Sequence, residues 1–116
     1  MLINDWLPNP IGSDTEGEWV ELFNDGEGIS LAGWRLENDA GKKVFLGGRS
    51  LESGEYLTLH RSKTKLPLRN QDGGLFLYND AGQLIHQVSF KGSAPEGKSF
   101  SRSGDRFFFA EPTQEA

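Results

Sequence analysis

Cysteine is absent from the sequence, which excludes disulfide bridges and thiolate metal sites as sources of stability. Long apolar runs are also absent, so no signal segment or membrane span is recognisable, and we expect no membrane insertion. A chain of 116 residues can bury a core without either kind of support. We expect a single domain over residues 1–116, excised from a longer parent that carries any targeting information.

Positive charge is scarce relative to negative charge. Twelve lysines and arginines stand against 17 aspartates and glutamates, which gives a formal net charge of −5. A domain this acidic is a poor general binder of nucleic acid or of anionic membrane. Any such contact needs a local basic patch.

Helical periodicity is almost absent, and short alternating runs bounded by Gly, Asn, Asp or Pro predict strands instead. About nine short strands, spaced roughly 8–12 residues apart, are typical of a sandwich or barrel without a long helix. The predicted strands are Leu2–Leu7, Glu18–Asn24, Leu31–Glu37, Lys43–Leu46, Tyr56–His60, Leu75–Asn79, Leu84–Phe90, Lys98–Arg102 and Arg106–Ala110.

The tetrapeptide Asn-Asp-Ala-Gly occurs twice, at residues 38–41 and 79–82, each time between two strand-like runs. An Asn or Asp side chain can start a tight turn, and Gly supplies the positive φ at its close. The two copies therefore predict two hairpins.

Alternation along each predicted strand assigns side chains to faces of a sheet. Val20 and Leu22 share one face, and Glu21 lies on the other with its neighbours Trp19 and Phe23. Because the Glu21 face is expected to be at least partly wet, Val20 and Leu22 are predicted to point into the core. The predicted core comprises Val20, Leu22, Leu36, Leu57, Leu59, Leu77 and Val88, with Trp34 buried at its centre.

Several ordered motifs resemble the lamin tail domain family in its bacterial form. The first is Ile-Asn-Asp-Trp-Leu-Pro-Asn-Pro at residues 3–10, followed by Gly-Glu-Trp-Val-Glu-Leu-Phe-Asn at residues 17–24. Leu-Ala-Gly-Trp-Arg-Leu at 31–36, Gly-Lys-Ser-Phe-Ser-Arg at 97–102 and Pro-Thr at 112–113 resemble the later hallmarks. The chain departs from the family pattern at His86, where an acidic residue is frequent, and at Gln114-Glu115, which replaces a Pro-Gly close.

The resemblance implies an immunoglobulin-like antiparallel β-sandwich that binds or tethers. In animal lamins the domain follows a coiled-coil rod and serves as an interaction platform, but this chain has no heptad segment, so a filament role is not expected. In bacteria, similar domains are appended to secreted or surface proteins, including nucleases and other hydrolases. The resemblance therefore implies a parent that is secreted or at the cell surface, and a protein partner or cell-surface component as the target.

Catalysis has little support in the sequence. His60 and His86 are the only histidines, and neither a Gly-x-Ser-x-Gly elbow nor a His-x-x-x-His pair is present. Histidines without a chemical role are favoured, although a triad built on either one is left open. We expect the chain not to be an enzyme.

An acidic cluster surrounds the first turn and consists of Asp14, Glu16, Glu18 and Glu21. Carboxylates at this density can hold Ca²⁺, which makes Asp14 and Glu18 candidate metal ligands, although the spacing is not that of an EF-hand. The favoured alternative is that Asp14 bonds the backbone of its own loop while the glutamates face water. We expect a fold that forms without Ca²⁺ or any other cofactor.

A basic stretch without any acidic residue between Glu55 and Asp72 contains Arg61, Lys63, Lys65 and Arg69. Such a segment can meet a polyanion, either nucleic acid or an acidic glycan. No aromatic residues are interleaved, so bases would have no stacking platform and binding would be weak. The alternative is a solvated connection, or an edge strand whose lysines deter aggregation.

Three consecutive aromatic residues occur at Phe107–Phe109, and they cannot all point inward on one strand. Either at least one faces outward or the strand is covered on both sides; an exposed one would be a partner site, and the alternative is an edge strand packed against neighbouring segments of the parent. Taken together, the sequence predicts a non-catalytic protein-interaction or tethering module. A polyanion-binding module that uses residues 61–69 is the alternative.

Overall fold

The computed structural model describes residues 1–9, 17–68, 71–104 and 106–110, and strands dominate these residues. Alternating apolar and polar residues form the longer strands, and Gly, Asn and Asp lie at the turns between them. The elements are β1 (Leu2–Leu7), β2 (Trp19–Phe23), β3 (Ile29–Ser30), β4 (Arg35–Asn38), β5 (Lys43–Phe45), β6 (Ser50–Leu51), β7 (Tyr56–His60), α1 (Arg61–Thr64), β8 (Gly74–Tyr78), β9 (Leu84–Ser89), β10 (Ser99–Ser103) and β11 (Arg106–Ala110).

Two antiparallel sheets face each other. The five-stranded sheet has the order β11-β10-β1-β2-β7, and the four-stranded sheet has the order β5-β4-β8-β9. A short pair, β3–β6, accompanies them. The ring of Trp6 in β1 lies 5.3 Å from the ring of Phe100 in β10 and 6.2 Å from that of Phe90, which follows β9. The predicted all-β sandwich is confirmed.

The core between the sheets is largely the one that alternation predicted. Val20, Leu22, Leu36, Leu59, Leu77 and Val88 are buried, and Trp34 is buried immediately before β4. Leu57 is an exception, since it is only half-buried and packs at the margin of the core.

The expectation of a wet face around Glu21 is wrong. Glu21 is completely buried and its neighbour Trp19 nearly so, although both point away from Val20 and Leu22. Asn4 donates a hydrogen bond of 2.9 Å from Nδ2 to Glu21 Oε1, which supports the buried carboxylate. Alternation shows which residues share a face, but it does not show whether that face is covered.

Both predicted hairpins are present and use the same chemistry. Oδ1 of Asn38 accepts hydrogen bonds from the N–H groups of Ala40 and Lys42, and Gly41 closes the turn with a φ of 82°. Asn79 repeats this arrangement in the hairpin between β8 and β9.

The described part of the chain contains no helix with the length and apolar character that a membrane span requires.

Candidate functional site

The outer face of the four-stranded sheet carries the most prominent exposed side chains. Leu36 in β4 and Leu77 in β8 point into the core and are fully buried. Because successive side chains of a strand alternate between faces, the residues on either side of each leucine point outward. We call the surface formed by these outward residues and their partners on β5 and β9 the outer face.

One row of side chains crosses all four strands of the outer face. Arg35 in β4 pairs in register with Phe45 in β5 and with Tyr78 in β8. Tyr78 is opposite Leu84 in β9, where the register shifts at a β-bulge between Leu77 and Tyr78. Paired residues lie on neighbouring strands about 4.8 Å apart, so Phe45, Arg35 and Tyr78 form one line, which Leu84 extends past the bulge. Phe45 is 61% exposed and Leu84 46% exposed. We refer to Phe45, Arg35, Tyr78 and Leu84 as the aromatic row.

Arg35 is held flat within the aromatic row by two partners. Its guanidinium carbon lies 4.1 Å from the centroid of the Tyr78 ring, and its Nε donates to Glu37 Oε2 at 2.5 Å. A cation over an aromatic ring is attracted by the ring quadrupole, and the adjacent carboxylate compensates the charge. The row therefore presents a planar surface with little net charge.

A second row runs beside the first and ends in a depression. Lys43, Glu37, Phe76 and Gln87 pair in register across the same four strands. The depression has a volume of about 270 Å³ and is lined by Phe76, Gln87, Val88 and Ser89. Gly74, the partner of Ser89 on β8, has no side chain with which to fill it.

The histidines lie away from the outer face. The ring of His86 is directed between the sheets, where its Nδ1 accepts a hydrogen bond of 2.9 Å from the Ile3 N–H of β1. Burial lowers the pKa of His86 below its ordinary value of 6.5, and the nearby positive charge of Arg102 adds to this effect. His60 is exposed at the end of β7 in the other sheet. These positions give His86 a structural role and separate both histidines from the aromatic row.

Two sequence candidates, Glu18 and Arg61, meet in a contact that the sequence did not predict. Arg61 Nη1 lies 3.2 Å from Glu18 Oε1, and the Leu68 N–H donates to the same oxygen at 2.9 Å. Glu18 is fully buried, so the expectation that it faces water is wrong. Its carboxylate holds the segment that follows β7 through these two contacts.

The remaining candidate residues are dispersed. Lys63 and Lys65 are exposed in and after α1, whereas Arg69 and Asp14 lie outside the described residues. Within the described ranges, no group of three or more His, Asp or Glu side chains is arranged to hold a metal ion. Phe108 is 50% exposed on the five-stranded sheet, which confirms that one of the three phenylalanines faces outward.

Sequence reasoning missed the aromatic row. The alternation within Lys43–Phe45 and around Leu36 and Leu77 was a usable signal, because it places Phe45, Arg35 and Tyr78 on the faces opposite core residues. That these faces belong to one sheet depends on strand order and register, which a single sequence does not reveal.

The fold is that of an immunoglobulin-like β-sandwich. The sequence profile of the Lamin Tail Domain family matches residues 1–92, which span β1 to β9. The chain belongs to the lamin tail domain family. No curated protein matches it significantly.

Proposed function

We propose that the chain is a non-catalytic interaction or tethering module of a larger protein, and that it binds a protein partner or a cell-surface component through the aromatic row. The observation that carries this proposal is the alignment of Phe45, Arg35, Tyr78 and Leu84 across four strands, with both ends exposed. Isolated exposed apolar residues need no explanation, but Phe45 and Leu84 lie on one face with the Tyr78 ring between them, and apolar side chains gathered on one face suit an interaction surface.

The composition of the row supports a protein partner. Aromatic residues and arginine are enriched at the energetic centres of interfaces, because they bury a large area and lose little conformational freedom. Arg35 is already held by Tyr78 and Glu37, so its side chain would lose little conformational entropy when a partner binds. The local balance of Arg35 and Lys43 against Glu37 also makes this face less acidic than the domain as a whole.

A display library of genomic fragments from the source organism tests this function. Fragments that bind the domain are titrated against Tyr78→Ala and against Phe108→Ser, a matched control that removes an exposed aromatic residue from the other sheet. We expect Tyr78→Ala to weaken binding about tenfold or more, as is typical of an interface hot spot, and Phe108→Ser to leave it unchanged. The proposal would be contradicted by fragments whose affinity falls with Phe108→Ser and not with Tyr78→Ala.

Polyanion binding through the basic stretch is a second candidate, supported by the exposure of Lys63 and Lys65. Among the described residues neither lysine forms an ion pair, whereas Arg61 is held by Glu18. The positive charge available to a polyanion is therefore smaller than the sequence suggested. Among the described residues of the basic stretch, Lys63 and Lys65 supply it. Contacts of this kind weaken steeply with salt, because each phosphate contact releases counterions.

Heparin titration of two double variants tests this second candidate. Lys63→Ser with Lys65→Ser removes the proposed contact, and Lys42→Ser with Lys43→Ser removes the same charge elsewhere. We expect only the first variant to lose binding at low salt. Equal losses, or no binding by the unmodified domain, would exclude this surface.

A further inference from the structure

The free edge of β9 has the features of a strand that accepts another strand. Among the residues that the structure describes, β9 has a single hydrogen-bonded neighbour, β8, and it forms one edge of the four-stranded sheet. It is six residues long and contains neither proline nor any residue charged at neutral pH except for the titratable His86. We infer that an extended, largely uncharged segment of the protein partner pairs with this edge and continues the sheet, an inference that rests on the proposed function.

The hydrogen-bonding pattern identifies the backbone groups that are available. Phe90 N–H donates to Gly73 O, which makes Gly73 and Phe90 a hydrogen-bonded pair of the β8–β9 ladder. Hydrogen-bonded and non-hydrogen-bonded pairs alternate along an antiparallel ladder. The N–H and C=O groups of Gln87 and Ser89 therefore point away from β8, toward the free edge.

The other sheet edges are less suited to this role. β5 has only three residues and presents Lys43, and β11 begins with Arg106; both features discourage edge pairing. The Oγ1 of Thr58 in the middle of β7 is buried, so the side of β7 on which Thr58 lies is already covered. Within the described part of the chain, Gln87 and Ser89 of β9 are exposed, which leaves this edge accessible to an incoming strand.

The outer face beside β9 offers contacts for alternate side chains of such a strand. Side chains of a paired strand alternate between the two faces, and those on the outer side would lie next to Leu84 and the depression near Phe76. Backbone pairing would supply affinity, and these contacts would supply selectivity. The strand and the aromatic row would thus form one continuous binding surface.

Charge favours a different protein over a second copy of this chain. Two copies with a formal charge of −5 repel each other, whereas a segment with lysine or arginine residues at its ends is attracted. The occupant is therefore an extended segment of about six residues, uncharged at its centre and basic at its flanks.

A random decapeptide library, selected against the whole chain, tests the inference with defined probes. Affinities of synthetic versions of the retained peptides are compared for Gln87→Pro and Gln87→Ala. Because the Gln87 N–H faces away from β8, proline removes an edge donor without removing a ladder bond. We expect Gln87→Pro to weaken binding about tenfold or more relative to Gln87→Ala, which loses the same side chain but keeps the backbone N–H. Ser89→Pro repeats the test at the next outward position, and thermal melts confirm that the variants are folded.

Amide hydrogen exchange on the unmodified chain supplies an independent readout. Exchange at Gln87 and Ser89 should slow when a retained peptide binds, and sedimentation should show a monomer at the concentrations used. Unchanged exchange at both amides, a library that retains no peptide, or dimerisation through Gln87 would each overturn strand addition. If genomic fragments still depend on Tyr78 in that event, the proposed function stands and only the inference about β9 fails.

Discussion

Arg35 lies over the ring of Tyr78, with its guanidinium carbon 4.1 Å from the ring centroid, at the centre of the outer face. The two residues are 43 positions apart in the sequence but are direct neighbours in the β4–β8 ladder. This stacking turns a charged side chain into part of a flat surface. Phe45 and Leu84 extend that surface to both edges of the sheet.

The core makes the first prediction. Leu22 is fully buried between the sheets, so Leu22→Ala should lower the free energy of unfolding by about 2–5 kcal/mol, through lost apolar burial and the cavity that remains. Urea titration measures this change. Phe45→Ala, which truncates a side chain that is 61% exposed, is the control and should cost less than about 1 kcal/mol. Similar costs for the two variants would show that the core is misassigned.

The second prediction concerns the buried carboxylate of Glu18. Glu18→Ala removes the acceptor for the Leu68 N–H and the partner of Arg61, so it should lower the free energy of unfolding by about 1.5–3 kcal/mol. Since Glu18 is buried, high salt should reduce the loss only slightly. Glu96→Ala removes an exposed carboxylate and should be close to neutral. A loss at Glu18 that vanishes in high salt would point to a surface interaction instead.

The third prediction compares the two hairpin asparagines, which form a matched pair. Asn38 is buried and also donates from Nδ2 to Pro67 O, whereas Asn79 donates to the exposed Gln83 side chain. Asn38→Ala should cost about 1–3 kcal/mol because it leaves buried groups unsatisfied, and Asn79→Ala about 0.5–1.5 kcal/mol. Chemical denaturation measures the free energy of unfolding of both variants. Asn38→Ala should lose more stability than Asn79→Ala, and the opposite order would contradict the account.

The fourth prediction concerns pH and His86. Its pKa in the folded chain lies below the ordinary 6.5, so the unfolded chain binds the proton more readily. The stability linked to His86 is therefore complete above pH 6.5 and declines as the pH falls from there toward the lowered folded-state pKa. We expect the free energy of unfolding of the unmodified chain to fall more steeply in this window than that of His86→Asn. His60→Asn is the control, and identical slopes for the unmodified chain and His86→Asn would refute the assignment.

Much of the fold could be predicted from local pattern. The bounds of β1, β7 and β11 coincide with the alternating runs, and both Asn-Asp-Ala-Gly turns form as expected. These features depend on neighbouring residues in the sequence. The β3–β6 pair was missed because two-residue strands such as Ile29–Ser30 are too short to show alternation.

The candidate site was harder to predict because it depends on contacts between distant segments. Glu18 and Arg61 are 43 positions apart, and their charges suggested separate metal and polyanion sites until the fold paired them. The aromatic row likewise draws one residue from each of four strands. Composition indicated an acidic domain, but only register shows that Arg35 is stacked and partly neutralised.

Hydroxyl-radical footprinting of the chain, free and bound to a retained genomic fragment, tests the central claim most directly. Phe45 and Tyr78 should lose reactivity in the complex, because both lie in the aromatic row. Phe108 is exposed on the other sheet and should keep its reactivity, as an internal control. Protection confined to Phe108, with Phe45 and Tyr78 unchanged, would contradict the assignment of the outer face as the binding surface.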